Sequence, residues 1–159
     1  MMKGKIIILL LLLGALLAAC TGPADQGSQV DRTIDKTRGE QYTNITVSDL
    51  QVMLQNKDFT FVNVHVPYEG HIAQTDLFIP YDQIDQNLES LPASKDAKIV
   101  LYCRGGSMSV TAAQTLAELG YTNVSQLKDG FTSWKAAGLP IETQKPENAK
   151  NSVWMESGK

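Results

Sequence analysis

Ile99-Val100-Leu101-Tyr102-Cys103-Arg104-Gly105-Gly106-Ser107-Met108-Ser109 is an apolar run that ends in a cysteine and opens through two glycines into a helical pattern. A strand that delivers a thiol to the first turn of a helix sets it among unpaired backbone N–H groups, where the helix dipole favours a thiolate or a bound anion. Cys103 is therefore the centre of any functional reading. On either side of it short apolar runs alternate with helical patterns, the order expected of βα units on a mostly parallel sheet. Tyr42 to Ile45 reads as a first strand. Thr46-Val47-Ser48-Asp49 has the pattern of a capping box, and Leu50, Met53 and Leu54 fall on one face of a helix over about 47–56. Phe59 to Val66, rich in β-branched and aromatic residues, reads as a buried strand stopped by Pro67, and Leu77 to Ile79 as a short one stopped by Pro80. Asp82 is the expected cap of a short helix carrying Ile84 and Leu88, before a turn at Pro92-Ala93-Ser94. Beyond Cys103, Val110, Ala113, Leu116, Ala117 and Leu119 form the expected apolar face of a helix, and Gly120 sits where a left-handed C-terminal residue belongs. Val124 to Leu127 reads as the last strand, Asp129-Gly130 as a turn and Phe131 to Ala137 as a helix closed by Gly138 and Pro140. The fold class is α/β, a three-layer domain with a central, mostly parallel sheet of about five strands flanked by helices.

The chain has 159 residues, 14 Lys and Arg against 17 Asp and Glu, and two cysteines. Residues 1–19 read as a signal peptide. Lys3 and Lys5 are its basic start, Ile6 to Ala18 its apolar stretch, and Leu17-Ala18-Ala19-Cys20 its end, too short for a comfortable membrane span. Leu17 to Cys20 resembles a bacterial lipobox, in which the cysteine is diacylated and becomes the mature N-terminus; the competing reading is an ordinary secretory signal. Lipid on Cys20, palmitate or a similar acyl chain, places the protein outside the cytoplasmic membrane, in a periplasm or its equivalent, held by acyl chains. Thr21 offers no inner-membrane retention aspartate, which leaves inner and outer membranes both open. Residues 20–40 are small, polar and charged and read as a flexible tether, 41–142 as one domain and 143–159 as a polar tail in which Val153, Trp154 and Met155 can dock back. Loss of Lys3 and Lys5 makes the mature chain more acidic, and with no basic stripe nucleic acid is excluded as a partner. With Cys20 lipidated, Cys103 is the one free thiol of the mature chain. Retaining it in an oxidising compartment points to a thiol that is used, although a buried cysteine that merely packs is the simpler account.

Three local patterns resemble the rhodanese-like domain. They are Glu69-Gly70-His71-Ile72 after the second strand, Cys103-x-x-Gly106-x-x-Ser109 after the fourth, and Leu127-Lys128-Asp129-Gly130-Phe131-x-x-Trp134 followed by Ala137-Gly138-Leu139-Pro140. Each is weak by itself, but their order and spacing run from about Tyr42 to Ile141. The resemblance implies a sulfurtransferase: the Cys103 thiolate takes sulfane sulfur from a donor such as thiosulfate or a persulfide, holds it as a persulfide and passes it to cyanide or a thiol. The residue types agree. Backbone N–H groups from Arg104 to Ser109 are expected to converge on the sulfur, and Gly105 and Gly106 permit the tight backbone such a nest needs. Arg104 offers a forked donor to an oxyanion or is a solvated surface arginine. Ser107 and Ser109 either cap the following helix or donate hydroxyls to the anion, with capping the expectation for Ser109.

The chain departs from the family pattern at two places. Many members carry Asp-x-Arg at the end of the second strand, where this chain has Asn63-Val64-His65. His65 is then either a titratable donor at the pocket lip or a structural or solvent-facing histidine. Met108 stands where active members often hold a second basic residue, and a thioether binds no oxyanion, which disfavours thiosulfate and favours a more apolar persulfide or thiol. His71 is expected to tie its loop down. A phosphatase or arsenate reductase needs Cys-x5-Arg, but the sixth residue after Cys103 is Ser109. Two histidines and one thiol make no zinc site, no cofactor is implied, and with no resolving thiol a redox enzyme is disfavoured. The competing functional class is a non-catalytic lipoprotein that carries sulfane sulfur for another protein or docks with it.

Overall fold

The computed structural model describes residues 41–144. Five strands form one sheet in the order β1-β5-β4-β2-β3: β1 Thr43–Ile45, β2 Thr60–Asn63, β3 Leu77–Phe78, β4 Ile99–Tyr102 and β5 Val124–Leu127. Every neighbouring pair is parallel. The helices are α1 Val47–Gln55, α2 Ser107–Glu118 and α3 Gly130–Ala136, and two 3-10 turns, Tyr81–Gln86 and Leu88–Ser90, fill the connection after β3. The expected α/β class, parallel sheet and strand number are all present.

Alternation along β4 splits the core into two layers, because successive side chains of a strand point to opposite faces. Ile99, Leu101 and Cys103 pack on one face with Ala112, Ala113 and Leu116 of α2 and with Ile84 of the first 3-10 turn. Val100 and Tyr102 pack on the other with Leu50 of α1 and with Phe131 and Trp134 of α3. A strand covered on both faces reads as a continuous apolar run, as 99–102 does.

The capping box at the start of α1 is formed. The Thr46 side chain accepts from the Asp49 N–H, and the Asp49 carboxylate accepts from the Thr46 N–H at 2.9 Å. Gly120 and Gly138 follow α2 and α3 with φ of +88° and +76°, the left-handed geometry expected of residues that end helices.

Four expectations are corrected. The second strand stops at Asn63, not Val66, because the Asn63 side chain accepts from the His65 N–H at 3.0 Å and donates to the Gly70 carbonyl at 2.9 Å, which turns the chain. Asp82 caps nothing: Pro80 precedes a 3-10 turn that has no side-chain cap bond. Leu119 lies past the end of α2 and is 38% exposed. The buried face of α2 consists of Ser109, Ala112, Ala113, Leu116 and Ala117, with Val110 only half-buried. The signal peptide, Cys20, the tether and most of the 143–159 tail lie outside the described residues.

Candidate active site

All five strands run the same way, so the loop after central β4 opens at the carboxyl end of the sheet, where parallel α/β folds place their sites. Cys103 is the first residue past β4 and only 1% exposed. Gly106, with φ +98°, turns the chain so that its N–H donates to the Cys103 Sγ at 3.0 Å. It is the one backbone N–H of the 104–109 loop in hydrogen-bond contact with the sulfur among the described residues, fewer than the full nest expected. Ser109 supplies a second donor, its Oγ standing 3.6 Å from Sγ. That corrects its expected capping role: Ser109 is buried in the first turn of α2, and its hydroxyl faces the sulfur, the Gly106 carbonyl and Gln126 Oε1 rather than an orphan N–H. Gly106 is the N-cap of α2 and makes no side-chain bond, while Ser107 is exposed.

The loop is held from behind by α3. The N–H groups of Phe131 and Thr132 donate to the carbonyls of Cys103 and Arg104 at 2.9 and 3.0 Å. Asp129 and Gly130, with φ of +58° and +53°, bring the helix start that close. A Cβ on Gly130 would stand 2.0 Å from the Cys103 carbonyl oxygen, so only glycine fits.

The other expected residues take clear positions. Arg104 is an exposed side chain whose Nη1 lies 3.2 Å from Glu69 Oε1. Gly105 is exposed, and Met108 is half-buried against the core layer that contains Cys103. His65 is 5% exposed, which excludes a solvent-facing role. Its ring stands edge-on to Phe131, 5.5 Å between centroids, and Nε2 is 3.5 Å from Glu69 Oε2, yet neither ring nitrogen makes a hydrogen bond. Burial pushes the imidazole below its ordinary range, against an opposing pull from Glu69. His65, Glu69 and Arg104 thus share one rim beside the Cys103 loop. His71 does tie its loop down: its N–H and carbonyl pair with Glu142, and its ring reaches Tyr68 and the Glu142 carboxylate.

Two residues to which the sequence assigned no role at the thiol belong to this site, Glu69 of the Glu69-Gly70-His71-Ile72 pattern and Gln126. Glu69 occupies the Arg104 guanidinium, and Gln126 of β5 is buried with its Oε1 2.9 Å from Ser109 Oγ. No cluster of three or more metal-ligating side chains occurs among the described residues.

The sequence profile of the rhodanese-like domain matches residues 46–137, the span from the capping box through α3. The chain belongs to the rhodanese-like domain family. It is 34% identical to a sulfurtransferase of Allochromatium vinosum over 57% of this chain and 85% of that protein. It is also 34% identical to an uncharacterized protein of Synechocystis, over 72% of this chain but a little under two thirds, 64%, of that protein's length. Among solved structures, a rhodanese-related protein of Thermoplasma volcanium superposes with a TM-score of 0.54 at 26% identity, covering 64% of this chain and 98% of the other. The rhodanese-like domain also accounts for the order of the three sequence patterns, since they fall on the β2–β3 connection, the Cys103 loop and the β5–α3 turn.

Proposed function

We propose that this rhodanese-like protein is a sulfurtransferase that carries sulfane sulfur on Cys103. The observation that carries the reading is the sulfur itself, set at the end of the central strand with the Gly106 N–H at 3.0 Å and the Ser109 hydroxyl behind it. Donors fixed in advance around a buried sulfur favour charge on it without reorganisation during the reaction. In the first step the Cys103 thiolate attacks the outer sulfur of a donor. A new S–S bond forms, the donor's own bond to that sulfur breaks, and the leaving group departs with the electron pair, as sulfite from thiosulfate or as a thiolate from a persulfide. In the second step an acceptor thiolate or cyanide attacks the outer sulfur of the Cys103 persulfide, and the Cys103 thiolate leaves with the bonding pair. The backbone donor faces the same sulfur in both steps.

A persulfide donor fits this site better than thiosulfate. Met108 supplies no charge, and Arg104, the one cation of the 103–109 loop, is an exposed side chain with one guanidinium nitrogen already on the Glu69 carboxylate, so a dianion meets a single cation whose charge it must share. The Leu17 to Cys20 lipobox and the basic, apolar stretch before it support an extracytoplasmic protein anchored through lipid on Cys20. The burial of Cys103 favours a second reading, a carrier that holds sulfur for a protein acceptor without turning over small donors.

The test is intact-mass analysis of the full chain after incubation with thiosulfate and, separately, with a low-molecular-weight persulfide, with Cys103→Ser alongside. The expected result is a reducible gain of one sulfur atom that depends on Cys103, formed faster from the persulfide. A folded protein that acquires no sulfur from either donor would refute the sulfurtransferase reading and leave the docking module.

A further inference from the structure

Behind the sulfur, one proton is shared among three acceptors. The Ser109 Oγ, fully buried, stands 2.9 Å from Gln126 Oε1, 2.9 Å from the Gly106 carbonyl oxygen and 3.6 Å from Cys103 Sγ. A serine hydroxyl has a single hydrogen to donate. The Gly106 carbonyl already accepts the Val110 N–H at 3.0 Å in the ladder of α2, so its need is partly met. The amide of Gln126 is turned by its other end, where Nε2 donates to Asn44 Oδ1 on β1, and this presents Oε1 to the serine. Gln126 is itself buried on β5, between β1 and β4, a position where a polar side chain without a partner is costly.

We infer that Gln126 is a positioning residue for the Cys103 sulfur: its amide oxygen accepts the Ser109 hydroxyl hydrogen bond while the sulfur is uncharged and competes for that hydrogen bond when the sulfur is charged. The inference rests on the reading of Cys103 as the reactive group. An uncharged thiol is a weak acceptor, and at 3.6 Å it loses the proton to an amide oxygen at 2.9 Å. A negative sulfur makes a charge-assisted bond that is stronger than the neutral one, and the hydroxyl turns towards it. Gly106 donates to the sulfur in either state, whereas the Ser109 contribution is conditional. The amide of Gln126 sets how readily it is given.

A double-mutant cycle on the full chain tests the coupling. Gln126→Met keeps the side-chain length and removes the acceptor. Alkylation of Cys103 by iodoacetamide at one neutral pH is followed by peptide mass analysis, which counts Cys20 separately. The ultraviolet absorbance of the thiolate is read as the difference from Cys103→Ser. Gln126→Met is expected to alkylate about three to ten times faster, the equivalent of one neutral hydrogen bond no longer competing, with a matching rise in thiolate absorbance. Ser109→Ala is expected to slow alkylation, and Gln126→Met in the Ser109→Ala background to change it by less than about twofold. An unchanged or slower Gln126→Met, or the same acceleration with and without Ser109, overturns the inference. Asn44→Ala, which frees the amide to turn away, gives a smaller acceleration in the same direction and stands in if Gln126→Met fails to fold. Alkylation involves no sulfur donor, so even a protein that never forms a persulfide shows whether Gln126 acts on the sulfur.

Discussion

Gly130→Ala tests whether the start of α3 is what holds the Cys103 loop. Gly130 has φ +53°, and a Cβ built there lies 2.0 Å from the Cys103 carbonyl oxygen and 2.7 Å from that of Arg104. Both obstructing atoms are backbone, so no side chain can swing aside. Relief requires the loop and α3 to separate, which breaks or stretches the Phe131 and Thr132 N–H bonds to those same two carbonyls. A left-handed alanine costs about 1 kcal/mol and each lost bond about 1 kcal/mol, so the substitution is expected to destabilise the domain by about 3 kcal/mol. For a domain of this size that lowers the thermal midpoint by roughly 12–24 °C, and against a typical stability of about 5–15 kcal/mol it still leaves a folded protein. Thermal unfolding followed by circular dichroism measures it. Gly105→Ala is the internal control: a Cβ there meets nothing within 4 Å and φ is not left-handed, so it is expected to cost under about 0.5 kcal/mol. A Gly130→Ala protein within about 1 kcal/mol of the parent would show that the loop is not clamped by α3.

Two further outcomes are expected. Tyr102→Phe removes the hydroxyl that accepts the Ile72 N–H at 3.0 Å and bonds Thr75 Oγ1 at 2.7 Å, stranding a buried N–H, so urea denaturation should show a loss of about 1–3 kcal/mol. His65 gives stability a pH dependence. Its pKa is lowered by burial, so as pH falls through the ordinary histidine range the unfolded chain takes up a proton that the folded one refuses. Stability should therefore decline from above pH 6.5 down to the depressed folded value. His65→Gln should flatten that part of the unfolding-midpoint profile, and an unaltered slope would mean that another group sets it.

Strand β4 and the Cys103 loop were legible because local chemistry fixes them. Ile99 to Tyr102 is apolar throughout since both faces of β4 are covered, and the glycine after it occupies a conformation closed to most residues. The Thr46 to Asp49 cap was readable for the same reason, its two partners being three residues apart. Where the sequence misled, apolar character ran on past the end of regular pairing. Val64 belongs to the core and kept the apolar run going to Val66, while a single Asn63 side chain had already ended the strand. Ser109 follows strong capping precedents in sequence, but its hydroxyl is claimed by groups across the fold. Gln126 was invisible because a polar residue in a strand, here next to Ser125, looks like an outward-facing position. Its partners lie 17 and 82 residues away in the chain, and no local pattern brings them together.

The uniform direction of the strands gives the domain a front and a back. Thr43 opens β1 at the amino end of the sheet, and Cys103 leaves β4 at the carboxyl end. The polypeptide thus enters the domain at the end opposite to the Cys103 sulfur. A domain immobilised on a bead or fused to a carrier through residue 41 would keep the loop of residues 103–109 pointed at the medium, whereas attachment after Glu142, which is paired with His71, begins two residues from Glu69 on the rim beside the thiol. For any sensor or delivery scaffold built on this fold, the amino-terminal side is the handle and the carboxyl-terminal side is the working end.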